Sequence, residues 1–382
     1  MNTRSTASAL LAPDITEAAG ASNFGPNWFA SAMGTGIIAN AGVLLPFHVR
    51  GLHTFCFVIW LVASLTLVAL VIASVTHYVR SPHMFRRYSN DPQMIQFYGA
   101  PPMAILVVGT GAVLVARNFL GIHLAVDIDW TLWVLGTLLG LITAVIVPFR
   151  LFLKLEVRPD SAFGGWLLPI VPPLVAATSG AILLPYMATQ TERATMLYGC
   201  YALFGMSMVS AFIIISLIWS RLALHGTSKG TRVPTLWIVL GPLGSSVTTA
   251  GILGGVAHLA VASSIAKGMR VFSILYGVPI WGFAMLWTAI ALALTVATIR
   301  SKMPFALTWW SFTFPVGVTV TGTIRLYDQT QLPAFKWASA VGYVALLCAW
   351  ALVAVRTLVA TRREGLLYAT STGPAPVAQK FL

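Results

Sequence analysis

Few side chains in this chain can do chemistry, and those that can suit an anion better than a catalytic step. Hydroxyls recur along apolar stretches as Thr35, Thr110, Thr178, Ser179, Ser245, Ser246, Thr248, Thr249, Thr319, Thr321 and Thr323. Such groups can donate to an anion without adding charge, and Thr35, Ser245, Ser246 and Thr249 are candidate contacts of that kind. Arg325 is the charged candidate: it either draws anions to a mouth or lays its head at a membrane interface. His258 is the one titratable group deep in an apolar stretch, and a lone histidine there is more often a hydrogen-bonded packing residue than a proton carrier. Cys56, Cys200 and Cys348 all fall within apolar stretches and suggest neither a disulfide framework nor a zinc site. His48, His53, Asp127 and Asp129 are the nearest approach to an enzyme-like cluster, and they fall in separate connecting segments. Neither a metal, a cofactor nor an enzyme is expected.

The elements that must position these groups are written in the hydropathy. The chain has 382 residues, is 58% hydrophobic and 9% charged, with a mean hydropathy of +0.84. Soluble domains carry about 25% charged residues, so lipid is the main solvent of this surface. Ten apolar segments are long enough to span a bilayer: 28–45, 53–78, 98–118, 130–148, 166–187, 195–219, 235–260, 271–298, 305–325 and 337–358. Their only charged residues are Arg117, Arg325 and Arg356, all near segment ends, and no Asp, Glu or Lys lies inside. An interior so uncharged favours passive, potential-driven movement over ion-coupled movement.

Glycine and proline divide the ten segments into two sets. The five odd-numbered segments hold 22 of these residues and the five even-numbered ones hold 9. Proline removes a helix hydrogen bond, small residues permit close helix contact, and freed backbone groups must be shielded from lipid. The odd segments, with Gly34, Gly36, Pro101, Pro102, Pro172, Pro173, Gly241, Pro242, Gly244, Pro315 and Gly317 as expected pore-helix kinks, therefore belong inside. Odd segments start at near-equal intervals of 70, 68, 69 and 70 residues, as a fivefold helix–loop–helix repeat would. The fold expected is all-α and integral to the membrane, with ten transmembrane helices arranged as five hairpins around a central pore.

Charge sets the orientation. The net charge of +13 would suggest nucleic acid in a soluble chain, but sixteen of the 23 Lys and Arg lie on the side shared by both termini. By the positive-inside rule that side is cytoplasmic, and no nucleic-acid partner is expected. The domain reading is a cytoplasmic N-terminal segment 1–27, a transporter domain 28–358 and a disordered cytoplasmic tail 359–382.

Specific strings carry a family resemblance. NWFASAMGTGIIANAG at 27–42, SMVSAF at 207–212, PTLWIVLGPLGSSVTTAG at 234–251 and LTWWSFTFPVGV at 307–318 resemble the tellurite-resistance/dicarboxylate transporter (TDT) family. That family includes TehA-type bacterial proteins, malate permeases, sulfite pumps and slow anion channels. The resemblance covers about residues 24–358 and lies nearest the malate/sulfite branch. It implies five hairpins around a pseudo-fivefold pore in a homotrimer of the plasma membrane, passing small anions. A phenylalanine on the ninth segment occludes the pore in channel members. That role falls on Phe314, directly before Pro315, with Phe312 as the other candidate. C4-dicarboxylates such as malate are the favoured cargo, with sulfite or tellurite-oxyanion efflux as the alternative.

Overall fold

The computed structural model describes residues 24–158, 160–227, 230–300 and 303–363. Among these there is no strand. The helices are α1 (Phe29–Leu44), α2 (Leu52–Arg80), α3 (Pro82–Asn90), α4 (Ala100–Gly111), α5 (Arg117–Leu120) and α6 (Ile122–Leu153). They continue with α7 (Pro172–Leu183), α8 (Gln190–His225), α9 (Leu240–Val256), α10 (Ser263–Arg300), α11 (Phe314–Thr330) and α12 (Pro333–Arg363). The expectations for residues 1–23 and 364–382 lie outside the described residues. At the tail boundary, α12 carries helix on past 359, to Arg363.

Helix contacts define the architecture. α1 packs on α2, α4 on α6, α7 on α8, α9 on α10 and α11 on α12, which makes five hairpins. α1, α4, α7, α9 and α11 then pack each on the next, and α11 returns to α1, closing an inner ring. Burial separates the two layers. In Gly230–Leu259, which contains α9, 94% of the most apolar window is buried, against 17–33% in the five outer helices. Large apolar side chains such as Leu65, Ile72, Leu138, Val209, Leu275 and Val341 stand exposed on the outer helices, as lipid requires. Seven helical stretches among the described residues are long and apolar enough to cross a bilayer. The other three inner helices, α1, α7 and α11, have 16, 12 and 17 residues.

Proline acts here as a helix starter. Pro101 and Pro102 lie in the first turn of α4, Pro172 and Pro173 open α7, Pro242 is in the first turn of α9 and Pro315 is the second residue of α11. First-turn N–H groups have no intrahelical acceptor, so proline there loses no α-helical bond and supplies a helical φ. Each inner helix is entered through a tighter 3-10 turn: Pro26–Trp28, Met94–Gly99, Gly164–Leu167, Gly230–Val239 and Leu307–Phe312. The expected mid-span kinks are thus changes of helix type near one end. One irregularity does fall further along, a π turn at Ala112–Ala116 that carries α4 into α5.

Tryptophans of the outer layer tie the seams of the inner one. Trp60 on α2 donates to the Val108 carbonyl of α4 at 2.9 Å, and Trp133 on α6 donates to Ala176 of α7 at 2.9 Å. Trp281 on α10 donates to Thr323 of α11 at 2.8 Å, and Trp350 on α12 reaches back to Thr35 of α1 at 3.1 Å. In each case an outer helix bonds to the inner helix of the next hairpin, where the buried indole N–H finds its acceptor.

Most of the predicted kink glycines are contact glycines. A β-carbon built on Gly244 of α9 would lie 2.7 Å from the Thr319 Cα of α11, so the two backbones touch there. Gly34 meets Thr313, Gly36 meets Val107 and Gly317 meets Ile37, all across inner-helix interfaces. Gly241 differs: nothing lies within 4 Å of its would-be β-carbon. Gly244→Ala is therefore expected to lose about 1–3 kcal/mol by overpacking, whereas Gly241→Ala stays within about 0.5 kcal/mol of wild type. Unfolding midpoints of the two variants in detergent check this, and equal midpoints would contradict it.

Candidate functional site

The inner face of the ring is built from one stripe repeated five times. On α1 it reads Ala30, Met33, Ile37, Asn40 and Leu44, in steps of three and four residues that keep one helix face. The equivalents are Ala100, Met103, Val107, Thr110 and Leu114, then Leu168, Val171, Val175, Thr178 and Ile182. Ile238, Gly241, Ser245, Thr248 and Ile252 form the fourth stripe, and Ser311, Phe314, Val318, Thr321 and Arg325 the fifth. Corresponding positions are 70, 68, 70 and 73 residues apart. All of these residues line two cavities on the axis of the ring.

Phe314 stands between the cavities. It lines both and is only 3% exposed. In its layer the other four positions are Met33, Met103, Val171 and Gly241, so it is the single aromatic ring there. Toward the helix N-termini lies a cavity of about 20 Å³. Toward the C-termini lies one of about 50 Å³, room for a few waters or one small ion. Phe312, the other candidate, lines neither cavity and packs on Trp237 and Trp309 with ring centroids 5.7 and 6.0 Å away.

The larger cavity has three layers. Nearest Phe314 are Ile37, Val107, Val175, Ser245 and Val318; then come Asn40, Thr110, Thr178, Thr248 and Thr321; the last layer is Leu44, Leu114, Ile182, Ile252 and Arg325. Most of the hydroxyls are already committed. Thr178 reaches the Leu174 carbonyl at 3.1 Å and the Thr249 hydroxyl at 2.6 Å, while Thr248 and Thr321, 2.8 Å from each other, reach the Gly244 and Val318 carbonyls at 2.9 and 3.0 Å. A hydroxyl has one proton to give, so these present lone pairs to the cavity. Ser245 is 2% exposed and its Oγ has no partner, and Thr110 on α4 likewise makes no side-chain hydrogen bond. Arg325 donates from Nη1 to Asp328 at 3.0 Å, while its buried Nε has no partner.

Comparison with known proteins places this ring. A family model described as voltage-dependent anion channel (SLAC1) matches residues 23–358. The chain belongs to the SLAC1 family. A sulfite efflux pump of Trichophyton rubrum is 29% identical over 343 residues, covering 88% of this chain and 90% of its own length. An uncharacterized transporter of Methanocaldococcus jannaschii is 25% identical over 341 residues, covering 88% and 94%. A malic acid transport protein of Schizosaccharomyces pombe is 21% identical over 357 residues, covering 90% and 79%. The family and these relatives are channels and transporters rather than enzymes, in keeping with the sequence resemblance.

Other expected contacts of this SLAC1-family chain lie off the axis. Thr35 accepts from Trp350, Ser246 donates to the Leu243 carbonyl at 2.8 Å, and Thr249 lies 2.7 Å from the Ser245 backbone carbonyl and 2.6 Å from the Thr178 hydroxyl. None of the three lines a cavity. His258 is not deep in a helix: it sits in the 3-10 turn Ala257–Leu259 that ends α9, exposed, with Nδ1 2.8 Å from the Gly255 carbonyl. The expectation of an interior free of carboxylates is overturned as well. Asp129 lies inside α6, fully buried, and accepts from Ser179 of α7 at 3.0 Å. It lies behind the wall, since a β-carbon on Gly109 would be 2.8 Å from its Oδ1, and Gly109 and Ser179 adjoin the lining residues Thr110 and Thr178. Hydropathy starts the fourth segment at 130, just after the acidic pair, whereas the helix starts at Ile122 and buries the second carboxylate of that pair.

Asp129 Oδ2 has no partner, so Ser179 supplies the one hydrogen bond this side chain has. Ser179→Ala is expected to destabilise the fold by about 1–3 kcal/mol, the usual cost of stranding a buried polar group. Adding Asp129→Leu should recover part of that loss. A double-mutant cycle on unfolding midpoints measures the coupling, and additive losses would show that the pair does not act as a unit.

Proposed function

We propose that this protein moves small anions along the axis of the inner ring, with the Phe314 ring as the occluding group. The observation that carries this reading is the place of Phe314, one aromatic side chain lining both cavities in a layer otherwise made of Met33, Met103, Val171 and Gly241. A neutral ring blocks a narrow pathway by volume and by denying an ion its water. Pro315, fixed in the first turn of α11, sets where the ring projects. Gly241, open where its β-carbon would stand, leaves space into which the ring can turn.

A small inorganic oxyanion of the sulfite class is the cargo that fits best. The Trichophyton rubrum relative is a sulfite efflux pump, and a cavity of about 50 Å³ suits an ion of that size. A C4-dicarboxylate such as malate is the second reading, supported by the malic acid transport relative of Schizosaccharomyces pombe. It requires the layers around Phe314 to move further. The rest of the reading is ten crossings with α1, α7 and α11 completing the count, both termini at the cytoplasmic face of the plasma membrane, and a homotrimer in which each protomer has its own pathway. It rests on the loop charge asymmetry and the family resemblance.

Anion flux into proteoliposomes under an imposed potential tests this with chloride, nitrate, malate, succinate and sulfite. Phe314→Ala is expected to raise flux of the smaller anions about tenfold or more over wild type, while Phe312→Ala changes it less than about twofold. Equal flux in wild type and Phe314→Ala would remove the occluding role.

A further inference from the structure

The fivefold stripe is most informative where it breaks. In the layer next to Phe314, four of the five positions are Ile37, Val107, Val175 and Val318, and the fifth is Ser245. In the last layer, four are Leu44, Leu114, Ile182 and Ile252, and the fifth is Arg325. Each departure replaces a branched aliphatic side chain with a hydrogen-bond donor. Both sit on the neighbouring helices α9 and α11, which touch through backbone at Gly244 and again where a β-carbon on Gly251 would lie 2.7 Å from Arg325 Cβ. Both donors also have unspent capacity, the Ser245 hydroxyl and the Arg325 Nε–H.

We propose that Ser245 and Arg325 form a two-point binding site for a polyatomic oxyanion in the larger cavity, with Asp328 as an internal competitor for the arginine. This rests on the anion-pathway reading above and names the part of the pathway that selects. The two backbone levels are seven residues apart, or about 10 Å along the helix axis, a distance the length of the arginine side chain partly closes. An oxyanion presents separate acceptor oxygens and takes a hydrogen bond from the serine at one end and the guanidinium at the other. A halide is a single centre and is held by one of them at a time. In the intervening layer Thr178, Thr248 and Thr321 hold their protons within the protein, on carbonyls or on a neighbouring hydroxyl, and the Thr110 hydroxyl is the donor left to assist either end. Asp328 holds Arg325 Nη1 at 3.0 Å and is itself partly exposed. The pair leaves the mouth close to neutral until an anion draws on the remaining guanidinium N–H groups, which keeps binding weak enough for release.

The test is binding to the purified full chain in detergent, with Phe314 intact, read as the shift in thermal unfolding on titration with sodium sulfite or sodium chloride at constant ionic strength. Wild type is expected to show a saturable shift with sulfite and a much weaker one with chloride. Ser245→Ala and Arg325→Gln should each weaken the sulfite response about tenfold, Arg325→Lys less than Arg325→Gln, and Asp328→Asn should tighten it severalfold. The site is overturned if wild type binds chloride as well as sulfite, if sulfite gives no saturable shift, or if Ser245→Ala and Arg325→Gln both bind like wild type. Ser245→Ala keeps the test decisive should Arg325→Gln fail to fold. The flux of Phe314→Ala reports separately on the pathway. Raised flux with unchanged sulfite binding in the site variants removes the site and leaves the pathway. Lost binding in those variants without any flux through Phe314→Ala removes the pathway and leaves an anion site.

Discussion

The contact of α9 with α11 at Gly244 is the constraint on which the rest of the molecule depends. In lipid there is little hydrophobic drive between helices, so small residues that let backbones meet decide which helices associate and how closely. With Gly244 against Thr319, the fourth and fifth inner helices sit at backbone contact. Gly34 against Thr313 and Gly36 against Val107 play the corresponding part between α11, α1 and α4. A side chain at any of these points would widen one interface and open the ring. Closure lets the axis narrow to the width of one phenylalanine.

Within that frame, symmetry and function are divided between positions. Five stripes with the same three-and-four spacing build the wall, and most of their members are Ala, Val, Leu, Ile, Met or Thr. The departures that matter cluster on two adjacent helices: Gly241 and Ser245 on α9, Phe314 and Arg325 on α11. A repeated scaffold supplies shape five times over, and the chemistry is concentrated where α9 and α11 lie closest. Asp129, fully buried on the far side of the wall, belongs to the packing of α6 against α4 and α7.

Much of this was legible in the residues. Alternating glycine and proline content separated inner from outer helices because lipid-facing helices cannot carry freed backbone groups. The family resemblance points to Phe314 and Pro315, and Phe314 lines both axial cavities. Other features were hidden for identifiable reasons. A hydropathy window ends at the first charge, which leaves Asp127 and Asp129 outside the fourth segment although Asp129 is buried. A proline that starts a helix looks in the sequence like a mid-helix kink, because its position within a turn cannot be seen until the helix start is known. Composition also does not show which hydroxyls are bonded internally, as Thr248 and Thr321 are to carbonyls and to each other. The stripe itself was present in the sequence, at intervals of 70, 68, 70 and 73 residues, and would have emerged from superposing the five odd segments.

The tryptophan bonds across the seams have a mechanical consequence. Each of Trp60, Trp133, Trp281 and Trp350 fastens an outer helix to the inner helix of the next hairpin, like hoops set across the joints of a cask. An iris-like widening of the ring would have to strain several of these fastenings together, each bond worth about 1 kcal/mol in place. Turning one phenyl ring strains none of them. The aperture is therefore stiff and its obstacle is soft. On the proposed axial pathway, a stiff aperture would limit passage by the ion's own radius, whatever the site along the wall prefers to hold.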